Sequence, residues 1–251
     1  MTKENQAELE IEALEDVFGI STIGFKEFYK NAKESATGYY SKAASSGNYS
    51  TAASSGYYSK AASSGYYSKA ASSGNYSTAA SSGDYSTAAS YGNSSKAASS
   101  GDYSTAASSG DYSACAAVGY RAAVKGDIGN LIMASEYIKK DTAFIPIGGK
   151  ADLIDGKILK PNCWYIVENE KWVEVDFSDG VFSYVLSSKK GIKKVKTEDD
   201  RIMFIASDEN GISAHGKSKK EATEELLFKT GKRDISEYKN MPLTAVKTPS
   251  E

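Results

Sequence analysis

From Gly38 onward the chain repeats one nine-residue unit, Gly-x-Tyr-Ser-x-Ala-Ala-Ser-Ser, nine times in tandem without an insertion. A period this strict calls for one supersecondary unit stacked on copies of itself, each burying what its neighbours leave exposed. A flexible Gly/Ser linker would need neither the register nor the tyrosine that eight of the nine units carry at their third position.

The fifth position decides which side faces water. It carries Lys42, Thr51, Lys60, Lys69, Thr78, Thr87, Lys96 and Thr105, and an unpaired ammonium is too costly to bury. If Tyr-Ser-x-Ala is an extended strand, alternation turns Ser at four and Ala at six inward and Tyr at three outward. Ser-Ser-Gly is then the corner, with glycine free to take a positive φ. An interior lined by Ala43, Ala52, Ala61 and their successors through Ala106 can be filled only by closely spaced backbones. The expected fold class is mainly β: a thin β-solenoid of nonapeptide repeats over 38–129, its strands about 4.8 Å apart along the axis. Two units per coil are expected, because nine residues are too few to close one. Inward serines need corner backbone groups or one another as partners.

Such a solenoid lines up phenol rings on its outside: Tyr40, Tyr49, Tyr58, Tyr67, Tyr76, Tyr85, Tyr103 and Tyr112, broken only at Ser94. One reading is that the rings stabilise adjacent coils, as same-face cross-strand pairs do. The other is a flat, repetitive face for binding or self-association, since tyrosine is enriched at interfaces. These eight tyrosines are the candidate binding residues.

The flanks must supply conventional cores. Residues 1–37 read as a helical hairpin, Ala7, Ile11, Leu14 and Phe18 sharing one face and Gly19 stopping the first helix. It would cap the solenoid or act as an oligomerisation segment. Residues 130–198 read as a β meander, with strands at 131–134, 144–147, 164–167, 172–176, 181–186 and 192–196. The run Lys189, Lys190, Lys193, Lys194 and Lys196 reads as a solvated edge strand guarded by lysines, with a phosphate patch as the minority view. Glu198, Asp199 and Asp200 read as a solvated charge run. Residues 199–251 read as a strand–turn–strand–helix unit with an extended tail. Its helix is opened by the capping box Ser218-Lys219-Lys220-Glu221 and closed at Gly231.

Chemistry-bearing patterns are sparse. Residues 211–218 match GxxxxGK[ST], and Gly216, Lys217 and Ser218 would be the nucleotide-binding residues of a phosphate loop. Two features oppose that reading: four residues separate Ala206 from Gly211, and Ser218 already serves as a helix cap. His215 is the only histidine, and no spacing sets a catalytic partner beside it. No His/Cys cluster suggests zinc. Asp84, Asp102 and Asp111 lack the glycine pattern of calcium-binding rolls. Catalytic residues, metals and cofactors are therefore all expected to be absent. Cys115 and Cys163 suggest no disulfide framework, and reduced thiols fit a cytoplasmic protein. Net charge is −2, so no global basic field recruits nucleic acid. No signal core or membrane span is apparent in the sequence.

The Gly-x-x-Ser-x-Ala pattern resembles the head repeats of trimeric autotransporter adhesins of the YadA type, which form a β-roll from longer repeats. The nonapeptides, then Lys160-Pro161-Asn162-Cys163-Trp164-Tyr165, then Ala214-His215-Gly216-Lys217-Ser218 with its helix, are more closely similar to bacteriophage and gut-bacterial proteins of unknown function. That resemblance spans most of 38–240 and implies a fold and an origin but no activity. The expectation is a non-catalytic solenoid scaffold, phage-encoded, that binds a protein partner or itself as a homo-oligomer through its tyrosines. An inhibitor of a host defence enzyme is one form of it. The alternatives are a virion or surface fibre component recognising glycans and a nucleotide-binding protein built on 211–218.

Overall fold

The computed structural model describes residues 34–178, 182–208 and 212–231. Among these the protein is mainly β, with a single helix. The hairpin expected in 1–33 and the tail beyond 231 lie outside the described residues.

The repeats form the expected β-solenoid. Each contributes one five-residue strand, from β2 (Lys42–Ser46) and β3 (Thr51–Ser55) through β4 (Lys60–Ser64), β5 (Lys69–Ser73), β6 (Thr78–Ser82), β7 (Thr87–Tyr91), β8 (Lys96–Ser100), β9 (Thr105–Ser109) and β10 (Ala114–Val118). Pairing is parallel and skips one unit: Lys42 lies beside Lys60, and Ala52 beside Ala70. A coil is therefore two units. Odd-numbered strands build one sheet and even-numbered strands the other.

Parity is as expected. Ala52, Ala61, Ala70 and Ala79 are buried, as are Ser50, Ser59 and Ser68. Most inward hydroxyls find partners: Ser59 Oγ donates to the Ser73 carbonyl at 2.8 Å, and the Ser50 and Ser63 hydroxyls lie 2.9 Å apart; the buried Ser54 hydroxyl has none among the described residues. The strand, however, is x-Ala-Ala-Ser-Ser rather than Tyr-Ser-x-Ala, and the corner is Gly-x-Tyr-Ser rather than Ser-Ser-Gly. Alternation fixes inside against outside; it does not say where the chain bends. At the corner, the carbonyl of residue one accepts the amide of residue four, as from Ser59 to Gly56 at 3.1 Å. Glycine is required there by contact as well as conformation. At Gly65 φ is +122°, and a Cβ would lie 2.4 Å from the Gly47 carbonyl oxygen of the preceding coil.

The solenoid extends beyond the repeats on both sides. At its start, β1 (Glu34–Thr37) pairs in parallel with β3, so residues 34–37 belong to the solenoid and not to a helical hairpin. At its end, β11 (Ala123–Gly126) joins β9, and β12 (Leu131–Lys140) joins β10, both in parallel. The span 130–198 is consequently not one meander. β12 and its antiparallel partner β13 (Ala143–Leu153) complete the seven-stranded sheet. β14 (Trp164–Glu168), β15 (Lys171–Asp176), β16 (Ser183–Lys189), β17 (Ile192–Thr197), β18 (Ile202–Ser207) and β19 (Ser213–Gly216) extend the other sheet to twelve strands. The alanine column widens over this stretch into Val124, Ile132, Ile154, Leu159 and Tyr165 within the same core.

Helix α1 (Lys219–Lys229) follows β19. Ser218 Oγ accepts the Glu221 amide at 3.1 Å, while the Glu221 carboxylate accepts the Lys217 amide at 2.9 Å. Gly216 lets the helix approach the strand, since a Cβ there would lie 2.3 Å from the Ala222 nitrogen.

Candidate functional site

All eight candidate tyrosines sit at the third corner position, in the left-handed region, with φ from 55° to 60°. Ser94 and Arg121 hold the same position at 58° and 53°. That conformation costs an L-residue roughly 1–2 kcal/mol and normally selects glycine or asparagine. Here it aims the ring away from the solenoid and onto the ring of the next coil.

Because a coil is two units, the tyrosines do not form one ladder. They form two, on opposite edges. Tyr40, Tyr58 and Tyr76 stack at 5.1 and 5.0 Å, in line with Ser94 and Tyr112. Tyr49, Tyr67, Tyr85 and Tyr103 stack on the other edge at 5.3, 4.9 and 5.1 Å. The single face expected from consecutive units is corrected accordingly. Each stacked pair contributes about 0.5–1.5 kcal/mol beyond area burial, enough to offset much of the corner strain.

Position two braces the same edges. Asn48 Oδ1 accepts the Tyr66 amide, Asp84 Oδ1 the Asp102 amide, and Asp102 Oδ1 the Tyr120 amide, at 3.3, 3.0 and 2.8 Å. Asparagine and aspartate at this position are therefore rungs of a side-chain-to-backbone ladder and not a calcium roll. Where tyrosine stands instead, as at Tyr57 and Tyr66, its ring meets the position-three ring beside it edge-on, at 4.7 and 4.5 Å.

The second edge ends in a cluster that its break from the repeat pattern concealed. Tyr103 contacts Tyr120, and Tyr120 stacks on Phe144 at 4.2 Å. Arg121 occupies the next tyrosine position. Its guanidinium lies 4.9 Å from the Phe182 ring and donates to the Tyr184 hydroxyl at 3.2 Å. It also pairs with Glu198. The only trace in the sequence is Gly119, which keeps the repeat spacing and so marks Arg121 as a rung.

The flat outer faces differ. On the twelve-stranded sheet, Ala89 and Ala107 are buried under Trp164. On the seven-stranded sheet the equivalent alanines, Ala44, Ala62, Ala80 and Ala98, are exposed and floor a shallow groove of about 620 Å3.

The lysine run does not lie on a sheet edge, although Lys189, Lys190 and Lys194 are exposed as expected. β17 is paired on both sides, with β16 and β18. Lys193 turns to Asp176 at 2.6 Å, and Lys196 to Asp200 at 2.6 Å. The acidic run is exposed, as expected of a solvated charge run, and Asp199 also accepts from Thr197 and from Arg201, both at 2.5 Å. The Thr197 hydrogen bond, with Arg201 beside it, holds the Asp199 carboxyl below its usual range.

Within residues 211–218, Ser213–Gly216 is a strand whose residues pair with Phe204–Ser207, His215 lying opposite Ile205. A phosphate loop needs successive amides converging on an anion. Here the chain is extended and laddered, and Ser218 serves as the cap. Among the described residues no three His, Cys, Asp or Glu side chains are grouped to hold a metal ion, and no helix is long and apolar enough to cross a membrane. Cys115 and Cys163 are free thiols.

No family model matches the chain, and no curated protein or solved structure is significantly similar to it.

Proposed function

We propose that the protein is a non-catalytic scaffold that uses its tyrosine edges to bind a protein partner or a second copy of itself. The observation that carries this reading is the pre-organisation of the edges. The rings are fixed by mutual stacking and by the corner backbone, yet Tyr58, Tyr67 and Tyr85 each remain 37–39% exposed. Rigid, amphipathic rings give contact area at low conformational-entropy cost. The resemblance to phage and gut-bacterial proteins supports a phage-encoded accessory role, with inhibition of a host enzyme as one form of it. Recognition of glycans is a weaker fit, because pyranose stacking needs open ring faces and most ladder faces are covered by neighbouring rings.

The test is edge-specific. Partner capture from host lysate and self-association by sedimentation would be compared for the unaltered chain, for Tyr58→Ser with Tyr76→Ser, and for Tyr67→Ser with Tyr85→Ser. Loss confined to one pair identifies the working edge. Capture and mass unchanged in both pairs would remove the proposal.

A further inference from the structure

The first tyrosine edge has a missing rung. Ser94 stands between Tyr76 and Tyr112 with the same backbone conformation, φ being 59°, 58° and 58° at the three positions. Neighbouring rungs elsewhere on this edge lie 5.0–5.1 Å apart. The Tyr76 and Tyr112 rungs of the backbone are therefore two strand spacings, about 10 Å, apart, with a serine where the ring between them would be. The gap is open: Tyr112 is 87% exposed and Tyr76 46%, against 37% for Tyr58, which has a ring on each side. The tyrosine of this part of the repeat has in effect moved three residues back. Tyr91 stands where other units have serine, and it is half-buried at the end of β7.

We propose that the Tyr76–Ser94–Tyr112 gap is an intercalation site for one planar aromatic ring. With the Tyr112 ring turned as on the stacked rungs, a ring seated midway would lie about 5 Å from each tyrosine centroid, within the preferred range for stacked aromatic pairs. It would meet the geometry that each continuous rung already has. One wall and the backbone carrying the other are held before the ligand arrives. Tyr76 is stacked on Tyr58 and touched by Tyr57. On the Tyr112 side, the Asp111 carbonyl accepts the Ser94 amide at 2.7 Å and its amide donates to Asn93 Oδ1 at 3.2 Å. Lys96, exposed two residues beyond Ser94, and Asp111, exposed beside Tyr112, put opposite charges near the gap. The ligand chemistry is a flat ring able to stack on both faces, whether a nucleobase, an indole or a phenol. The gap does not depend on the edges binding a protein partner, and the two readings fail separately.

The test uses the full chain labelled with 3-fluorotyrosine, the Tyr76 and Tyr112 resonances being assigned with Tyr→Phe variants. Adenosine, N-acetyltryptophanamide and p-cresol are titrated in turn, and the strongest of the three identifies the source of the ring. The expected result is a saturable shift of the Tyr76 and Tyr112 resonances without one at Tyr49 or Tyr67. Ser94→Tyr should weaken binding at least about tenfold by filling the gap, whereas Ser94→Ala keeps it. Ser94→Tyr only restores the residue found in the other units, and its thermal melt verifies folding. If no probe moves either resonance up to its solubility, or if Ser94→Tyr binds like the unaltered chain, the proposal is overturned. Partner capture by Ser94→Tyr, measured alongside, reports on the edges and not on the gap.

Discussion

The Lys193 ammonium lies 2.6 Å from a carboxylate oxygen of Asp176, joining β17 to β15 across the intervening strand β16. Asp176 is buried, whereas Lys193 keeps about a quarter of its side chain in water. Replacing Lys193 by Met strands a buried carboxylate. The expected cost is about 2–3 kcal/mol, less than for a fully buried pair because Lys193 is partly screened. The double variant Lys193→Met with Asp176→Asn should cost less than Lys193→Met alone, and urea unfolding of the four proteins measures the coupling.

The same pair sets a pH dependence at each extreme. Burial pushes the Asp176 carboxyl up, but the Lys193 charge and the hydrogen bonds from Lys193 and Ser178 outweigh it, so it lies below its usual value. Its contribution is complete above the unfolded carboxyl value of about 3.9 and is lost as pH falls through the lower folded value. For Lys193 burial pulls down and Asp176 more than restores, so the ammonium is held above its usual value. That contribution is complete below about 10.4 and is lost as pH rises through the higher folded value. Thermal melts across pH should show both losses, and Lys193→Met should flatten the alkaline one.

Much of this architecture was legible because lysine at position five allows only one parity. The C-terminal strands and the Ser218 cap were legible for local reasons, through alternation, hairpin spacing and capping chemistry. What escaped was whatever depends on partners distant in sequence. That β17 is interior and that Arg121 meets Glu198 are facts of sheet order, which no window of the chain contains. The corner was misplaced for a different reason. Propensity speaks against tyrosine at positive φ, and only the stacking of one coil on the next reverses that preference. The division into two tyrosine edges followed from two units per coil, but consecutive tyrosines read as one row until the coil is closed.

The lumen predicts a sharp asymmetry between adjacent alanines. Ala79 points inward and is fully buried, whereas Ala80 faces outward on the seven-stranded sheet. Ala79→Leu must force apart backbones spaced for methyl groups and should cost about 1–3 kcal/mol. Ala80→Leu should change stability by no more than about 0.5 kcal/mol. Paired thermal melts separate the two, and equal effects would contradict the inward assignment of position six.

Thiol chemistry should report the same core. Burial raises the Cys115 thiol to about 11, and its Sγ lies 3.2 Å from the Lys125 carbonyl oxygen. Burial also raises Cys163, with Glu174 adding to it, but Cys163 is only partly covered. At pH 8 both thiols react slowly. Iodoacetamide followed by peptide mass mapping should label Cys163 first, and Cys115 only at the rate of unfolding.

The eighteen-residue coil predicts that deletions of one and two units differ in kind. Removing 56–73 takes out β4 and β5, one from each sheet, and leaves every remaining strand on its own side. Spin labels at Ala44 and Met133, both outward on the seven-stranded sheet, should then approach each other by one strand spacing, about 4.8 Å. Removing only 56–64 takes out β4 alone. Since β3 must still be followed by a strand of the opposite sheet, the strands before the cut change sides relative to those after it. The Ala44 label then lies across the solenoid from Met133, and the change in separation cannot equal one axial step. Near-identical repeats let both proteins fold, so circular dichroism should find strand content in each while the distance tells them apart. If the nine-residue deletion shortens the label distance by one step and keeps both labels on one face, each coil holds a single unit, and the division into two tyrosine edges fails with it.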